Sequence, residues 1–132
     1  MSEADDAVDL GDHGRRVVHF PDGKVIFLKG AVGDYAYVVK SGKVEIRDAG
    51  RVLEILGPGG IFGEMAMIDD EKRSASAVAV GPTDLVIVDH DTFGALVREV
   101  PDFAVTVMRL MARRLRTTTA ALPAAEERLA AV

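Results

Sequence analysis

Across residues 17–88 the apolar positions come in short runs broken by glycine: 24–28 (KVIFL), 36–39 (AYVV), 43–47 (KVEIR), 51–56 (RVLEIL), 75–80 (ASAVAV) and 84–88 (DLVIV). Within 43–47, Val44 and Ile46 alternate with Glu45 and Arg47, the period of a half-buried strand. Turn chemistry fills the gaps at Pro21-Asp22-Gly23, Ser41-Gly42, Asp48-Ala49-Gly50, Gly57-Pro58-Gly59-Gly60 and Gly81-Pro82. Six strands at this spacing predict a mainly β domain with flanking helices, built as a double-stranded β-helix or jelly-roll-like barrel.

After Asp89 the period changes to that of a helix. Asp91 is placed to cap a short helix carrying Phe93, Leu96 and Val97, and Pro101 suits the first turn of a longer one, where its missing N–H is harmless. Phe103, Val107, Leu110, Met111 and Leu115 form one apolar stripe, with Arg109, Arg113 and Arg116 largely outside it. Two partners suit that stripe, the barrel itself or the same helix of a second copy, and different stretches can serve each. Pro123 ends or kinks the helix. The expected organisation is an acidic, partly disordered arm at 1–15, one domain at 16–122 that includes the C-terminal lid or dimer helix, and a helical or flexible tail at 123–132.

Composition narrows the function. With 132 residues and 48% hydrophobic content, the chain suits one domain with an ordinary apolar core. The absence of cysteine excludes disulfides and Cys-based zinc sites and suits a reducing cytoplasm. No apolar run reaches the roughly 18 residues of a membrane span, and the N-terminus is acidic, so a cytoplasmic protein with no membrane partner is expected. The net charge of −5 is carried by Glu3, Asp5, Asp6, Asp9 and Asp12, which precede every basic residue; the remainder balances, which disfavours non-specific DNA binding. His13, His19 and His90 are scattered, and Asp69, Asp70 and Glu71 read as a solvated loop, so no enzyme, metal site or cofactor is expected.

The chemistry concentrates in Gly57-Pro-Gly-Gly-Ile-Phe-Gly-Glu-Met-Ala-Met-Ile and the following Asp69-Asp-Glu-Lys-Arg-Ser-Ala-Ser, a glycine-rich loop leading into a short helix and then a strand. Gly63 permits close backbone approach, and the amides of Glu64, Met65 and Ala66 open a helical turn, where N–H groups face an anion. Arg73 supplies a guanidinium able to meet two phosphate oxygens at once, and Ser74 a hydroxyl and an amide. Glu64, an acceptor, suits a sugar hydroxyl, and proximity to Arg73 would keep both ionised. Taken alone, a Glu and an Arg nine residues apart are more often a surface ion pair.

The whole string closely resembles the phosphate-binding cassette of cyclic-nucleotide-binding domains, in which F-G-E-[LM]-A-L-I is followed by R-[AST]-A-[ST]. The resemblance covers about residues 17–115: Gly33-Asp34, Tyr37-Val-Val and Ser41-Gly-Lys-Val-Glu-Ile resemble the family's core strands, and Val100-Pro-Asp with Met111-Ala-Arg-Arg-Leu its final helix in catabolite-activator-type regulators. It implies that Glu64 accepts the ribose 2′-hydroxyl, that Arg73 pairs with the cyclic phosphate, and that Gly63, Met65, Ala66, Ser74 and Ala75 complete the contacts. Thr118 and Thr119 stand where the last helix of such regulators meets the base. Gly33, Gly42 and Gly57 are expected to serve turns, Tyr37 the core, and Arg114 the charged surface. Three departures stand out: Gly60 replaces the usual Asp after Pro-Gly, Lys72 replaces the proline before the arginine, and the chain ends about 17 residues after the shared helix, where such regulators continue into a helix-turn-helix domain. DNA is therefore not an expected partner.

The resemblance implies a non-enzymatic sensor of a 3′,5′-cyclic nucleotide, cAMP ahead of cGMP, signalling through its last helix to a homodimer partner or a separate effector protein. The rival reading is a nucleotide-independent scaffold or dimerisation module, with Gly60 and the lone domain in its favour and the intact Glu64 and Arg73 against it.

Overall fold

A computed structural model describes residues 16–69 and 72–120, with the side chains of Asp69 and of residues 117–120 outside that description. Its elements are β1 (Val17–Phe20), β2 (Val25–Phe27), β3 (Ala36–Asp48), β4 (Arg51–Leu56), β5 (Ile61–Phe62), α1 (Met65–Asp69), β6 (Ser76–Val88), α2 (His90–Glu99) and α3 (Pro101–Ala120). The fold is a mainly antiparallel sheet with C-terminal helices. The sheet runs β1-β6-β3-β4, with β2 added to β6 and β5 to β3.

The two long strands β3 and β6 pair from Ala36 opposite Val88 to Arg47 opposite Ser76, and each takes different neighbours at its two ends. β6 holds β2 near Ala77 and β1 near Val86; β3 holds β5 at Tyr37 and Val38 and β4 from Val44 onward. Because successive strand side chains point to opposite faces, this pair serves two cores at once. Ala36 and Val38 of β3, with Val86 and Val88 of β6, face the helices and meet Leu96, Phe103, Val107 and Leu110. Tyr37, Val39 and Leu85 face the interior of the roll with Val44, Leu56, Phe62 and Ala77.

Several expectations change. Ser41-Gly42 and Gly81-Pro82 do not separate strands: β3 and β6 run through them with shifts of register. Gly42 and Gly81 adopt φ of 90° and 73°, and the bend is stitched by the Thr83 hydroxyl, which donates toward the Lys43 and Gly81 carbonyls and accepts from the Lys43 N–H. A β-carbon on Gly42 would lie 2.5 Å from the Pro82 carbonyl oxygen. Two strands, β1 and the two-residue β5, were not among the six expected. Helix α2 is capped by Asp89 rather than Asp91: the Asp89 carboxylate accepts the Thr92 N–H at 2.8 Å, and that bond holds it below the usual carboxylate range. Of the two partners open to the α3 stripe, the sheet takes Phe103, Val107 and Leu110, which are buried, and not Leu115, which is 69% exposed. The arm at 1–15, Pro123 and the tail at 123–132 lie outside the described residues.

Among the described residues, no helix is long and apolar enough to cross a membrane, and no cluster of three or more histidine or carboxylate groups could hold a metal ion.

Candidate functional site

The glycine-rich loop is anchored by β5, whose Ile61 and Phe62 are both 1% exposed and enter the two different cores. Gly63 then reverses the chain at φ 77° and α1 begins at Met65. This one turn points Glu64 and Ala66 inward, while Met65 and Ile68 face outward. The N–H groups of Met65 and Ala66 lie in the first turn, where no carbonyl stands four residues back in the helix to receive them.

Arg73 is buried opposite this turn. Its main chain is fixed to the segment before β3: Arg73 N–H donates to the Ala31 carbonyl at 2.9 Å, and its own carbonyl accepts from Gly30 N–H at 2.8 Å. The guanidinium stacks on Phe27, 4.1 Å from the ring centre, and donates through Nη1 to the Gly63 carbonyl at 3.0 Å and through Nη2 to the Tyr35 carbonyl at 2.6 Å. Nε is buried with no hydrogen-bond partner among the described residues. Burial lowers the Arg73 pKa, opposed by nearby Tyr37 and Asp34, and burial likewise raises the Tyr37 phenol, opposed by Arg73. Arginine is basic enough to stay charged throughout.

Two glycines make this placement possible. A β-carbon on Gly33 would lie 2.5 Å from Arg73 Cζ, and one on Gly63 2.7 Å from Nη1. Gly33 shows no left-handed φ, so it serves close approach to Arg73 rather than the turn expected of it.

Glu64 is 1% exposed and takes a partner that sequence reasoning missed. Arg114 of α3 donates from Nη1 to Glu64 Oε1, in place of the expected pairing with Arg73. Arg114 is not surface charge: it also forks onto Glu54 of β4, with Nε to Oε1 at 3.0 Å and Nη2 to Oε2 at 3.2 Å, and Nη2 bonds the Ile61 carbonyl at 2.8 Å. A signal for this exists in the sequence. Arg114 extends the series Phe103, Val107, Leu110 by four residues and so shares their inward face; Glu54 stands two residues before buried Leu56, on the same side of its strand.

Gly63, Glu64, Met65, Ala66, Arg73, Ser74 and Ala75 all line one cleft, with Phe27 and Ile46 supplying apolar wall and Lys72 and Arg114 also reaching it. The side chains of Thr118 and Thr119 lie outside the described residues. A buried guanidinium, the amides of a helix start and an inward carboxylate can together hold a ligand that carries an anion and a hydroxyl. Among the described residues no histidine lines the cleft.

Residues 17–100 match the family described as the cyclic nucleotide-binding domain. The Cyclic AMP receptor protein of Thermus thermophilus is 44% identical over 102 residues, covering 74% of this chain and 47% of that protein. A CRP-like cAMP-activated global transcriptional regulator of Mycobacterium tuberculosis is 38% identical over 106 residues, covering 76% and 47%. The chain thus spans about half the length of these curated relatives. The crystal structure of the Thermus thermophilus Catabolite Activator Protein superposes with a TM-score of 0.72 at 41% identity, over 83% of this chain and 54% of that one. With the family match spanning most of the described residues and the cassette built as one cleft, the chain belongs to the cyclic nucleotide-binding domain family.

Proposed function

We propose that this chain binds a 3′,5′-cyclic nucleotide in the cleft, cAMP in preference to cGMP, and acts as a non-enzymatic sensor whose output is α3. The observation that carries this reading is Arg73. A buried arginine needs an anion or a full set of acceptors, and of its five N–H donors two meet carbonyls while Nε has no partner among the described residues. The cyclic phosphate, a single negative charge with two exposed oxygens, suits the remaining donors together with the amides of Met65 and Ala66 and the group at Ser74. Glu64, with Oε1 engaged by Arg114, offers Oε2 to the ribose 2′-hydroxyl. The cAMP preference is supported by the relatives named for that nucleotide.

Transmission follows from the same contacts. Arg114 ties α3 to the carboxylate that receives the ribose, so occupancy of the cleft and the seating of α3 are coupled, by a free energy of about 1 to 3 kcal/mol in typical cases. Outside the core, α3 presents Val105, Met108, Ala112 and Leu115 at exposed positions spaced three, four and three residues apart, the spacing of a two-helix seam. A second copy of the chain is the partner proposed for that seam.

Calorimetric titration of cAMP and cGMP into the protein, beside Arg73→Ala, tests the reading. Loss of a buried charge-assisted phosphate contact should cost on the order of 2 to 5 kcal/mol, or roughly 30-fold to several-thousand-fold in affinity. Folded wild type that binds neither nucleotide at millimolar concentration would overturn it and leave the fold as a scaffold.

A further inference from the structure

We infer that Glu54 is a positioning residue for ribose recognition, acting through Arg114; the inference rests on the cyclic-nucleotide reading of the cleft. β4 carries the observation. Leu53 and Ile55 of this strand are about half exposed, while the Glu54 side chain between them is 25% exposed and lies on the face that meets Arg114. An inward carboxylate needs a cation, and Arg114 supplies it.

The geometry of that pairing matters more than its charge. Arg114 spends its Nε and Nη2 on the two oxygens of Glu54, and the planar fork fixes the orientation of the whole guanidinium. Nη1 is thereby directed at Glu64 Oε1, and Nη2 reaches the Ile61 carbonyl two residues before the Gly63 turn. Glu64, with a side chain 2% exposed, pairs with no other cation among the described residues, so the rotation of its carboxylate is set by a guanidinium that Glu54 holds. One cation shared by two carboxylates is a poor arrangement for stability alone, since Glu64 by itself would neutralise Arg114. It suits a part that must be aimed. Glu54 does not line the cleft, so it acts on the ligand only at second hand.

The test is the ratio of affinities for cAMP and 2′-deoxy-cAMP, measured by calorimetry on the full chain. Wild type should favour cAMP by roughly ten- to a hundred-fold, the value of one hydrogen bond to a charged acceptor. Glu54→Ala should shrink that ratio to within about threefold while leaving 2′-deoxy-cAMP binding nearly unchanged, because the phosphate contacts of Arg73 are untouched. The near-isosteric Glu54→Gln, which keeps one acceptor and loses the fork, should shrink it in the same direction and carries the comparison should the alanine variant fail to fold. In an Arg114→Ala background, Glu54→Ala should add nothing. Equal loss of both nucleotides, or full additivity with Arg114→Ala, would assign Glu54 a general structural role and overturn the inference. A wild type that binds neither nucleotide removes the nucleotide reading and this inference with it; a binding wild type whose ratio survives Glu54→Ala removes the inference alone.

Discussion

Arg73 owes its position to side chains that are absent. The guanidinium lies over Phe27 with Gly33 on one side and Gly63 on another, and neither glycine leaves room for a β-carbon. The two differ in what a substitution would do. Gly63 needs its left-handed φ, so alanine there strains the backbone, whereas Gly33 does not; a β-carbon at Gly33 would meet Arg73 Cζ and Nε at 2.5 and 2.6 Å and the Ala66 β-carbon at 2.9 Å. Gly33→Ala should therefore displace the guanidinium and lower cyclic-nucleotide affinity at least about tenfold, with a stability loss of about 1 to 3 kcal/mol from the crowding. Titration and a thermal melt of the same sample check both halves. An unchanged affinity would show that the placement of Arg73 tolerates a shift of this size.

At the scale of elements, the glycine-marked bends act in two ways. The β3–β4 hairpin closes through Ala49 and Gly50, both at positive φ, a two-residue turn whose handedness suits the twist of the strands. Gly50 takes this conformation freely, but Ala49 at φ 51° does so at a cost of about 1 to 2 kcal/mol. Ala49→Asn, which tolerates that region, should stabilise the domain by about 0.5 to 1 kcal/mol, read as a melting temperature higher by a few degrees. A lower melting temperature would place the strain elsewhere. Gly42 and Gly81 belong to the other kind: they kink the long pair β3 and β6 without ending it, and Thr83 restores the backbone bonds that the kink displaces. That continuity brings the helix-facing and roll-facing cores onto one pair of strands.

For the whole molecule, α3 carries two faces with different duties. Phe103, Val107 and Leu110 bind it to the sheet, and Arg114 continues that face into the cleft. The opposite positions Val105, Met108, Ala112 and Leu115 remain exposed. Met108→Glu places a charge in the middle of the proposed seam and leaves the core face intact, so it should convert a dimer to a folded monomer in sedimentation at micromolar concentration. Wild type that sediments as a monomer with and without cAMP would remove the second copy as the partner of α3.

The cassette was legible in the sequence because its parts are local. Gly63, the helix-start amides and Arg73 fall within eleven residues, and short-range spacing decides how such a turn is built. The strand regions and the two helices were legible for the same reason, since periods of two and about 3.6 report which side of an element is buried. Tertiary structure alone decided the pairings. Glu64 meets Arg114 from fifty residues away and not the arginine nine residues on, and Arg114 meets Glu54 across sixty. Periodicity could mark Arg114 and Glu54 as inward-facing, but a charge that faces inward takes whichever opposite charge the packing of other elements brings within reach. Gly33 follows the same rule: its neighbour Arg73 is forty residues distant, so close approach looked like one more turn. Where strands continue past a glycine was also decided in three dimensions, because only a facing partner such as Thr83 can make up the bonds that a kink would otherwise lose.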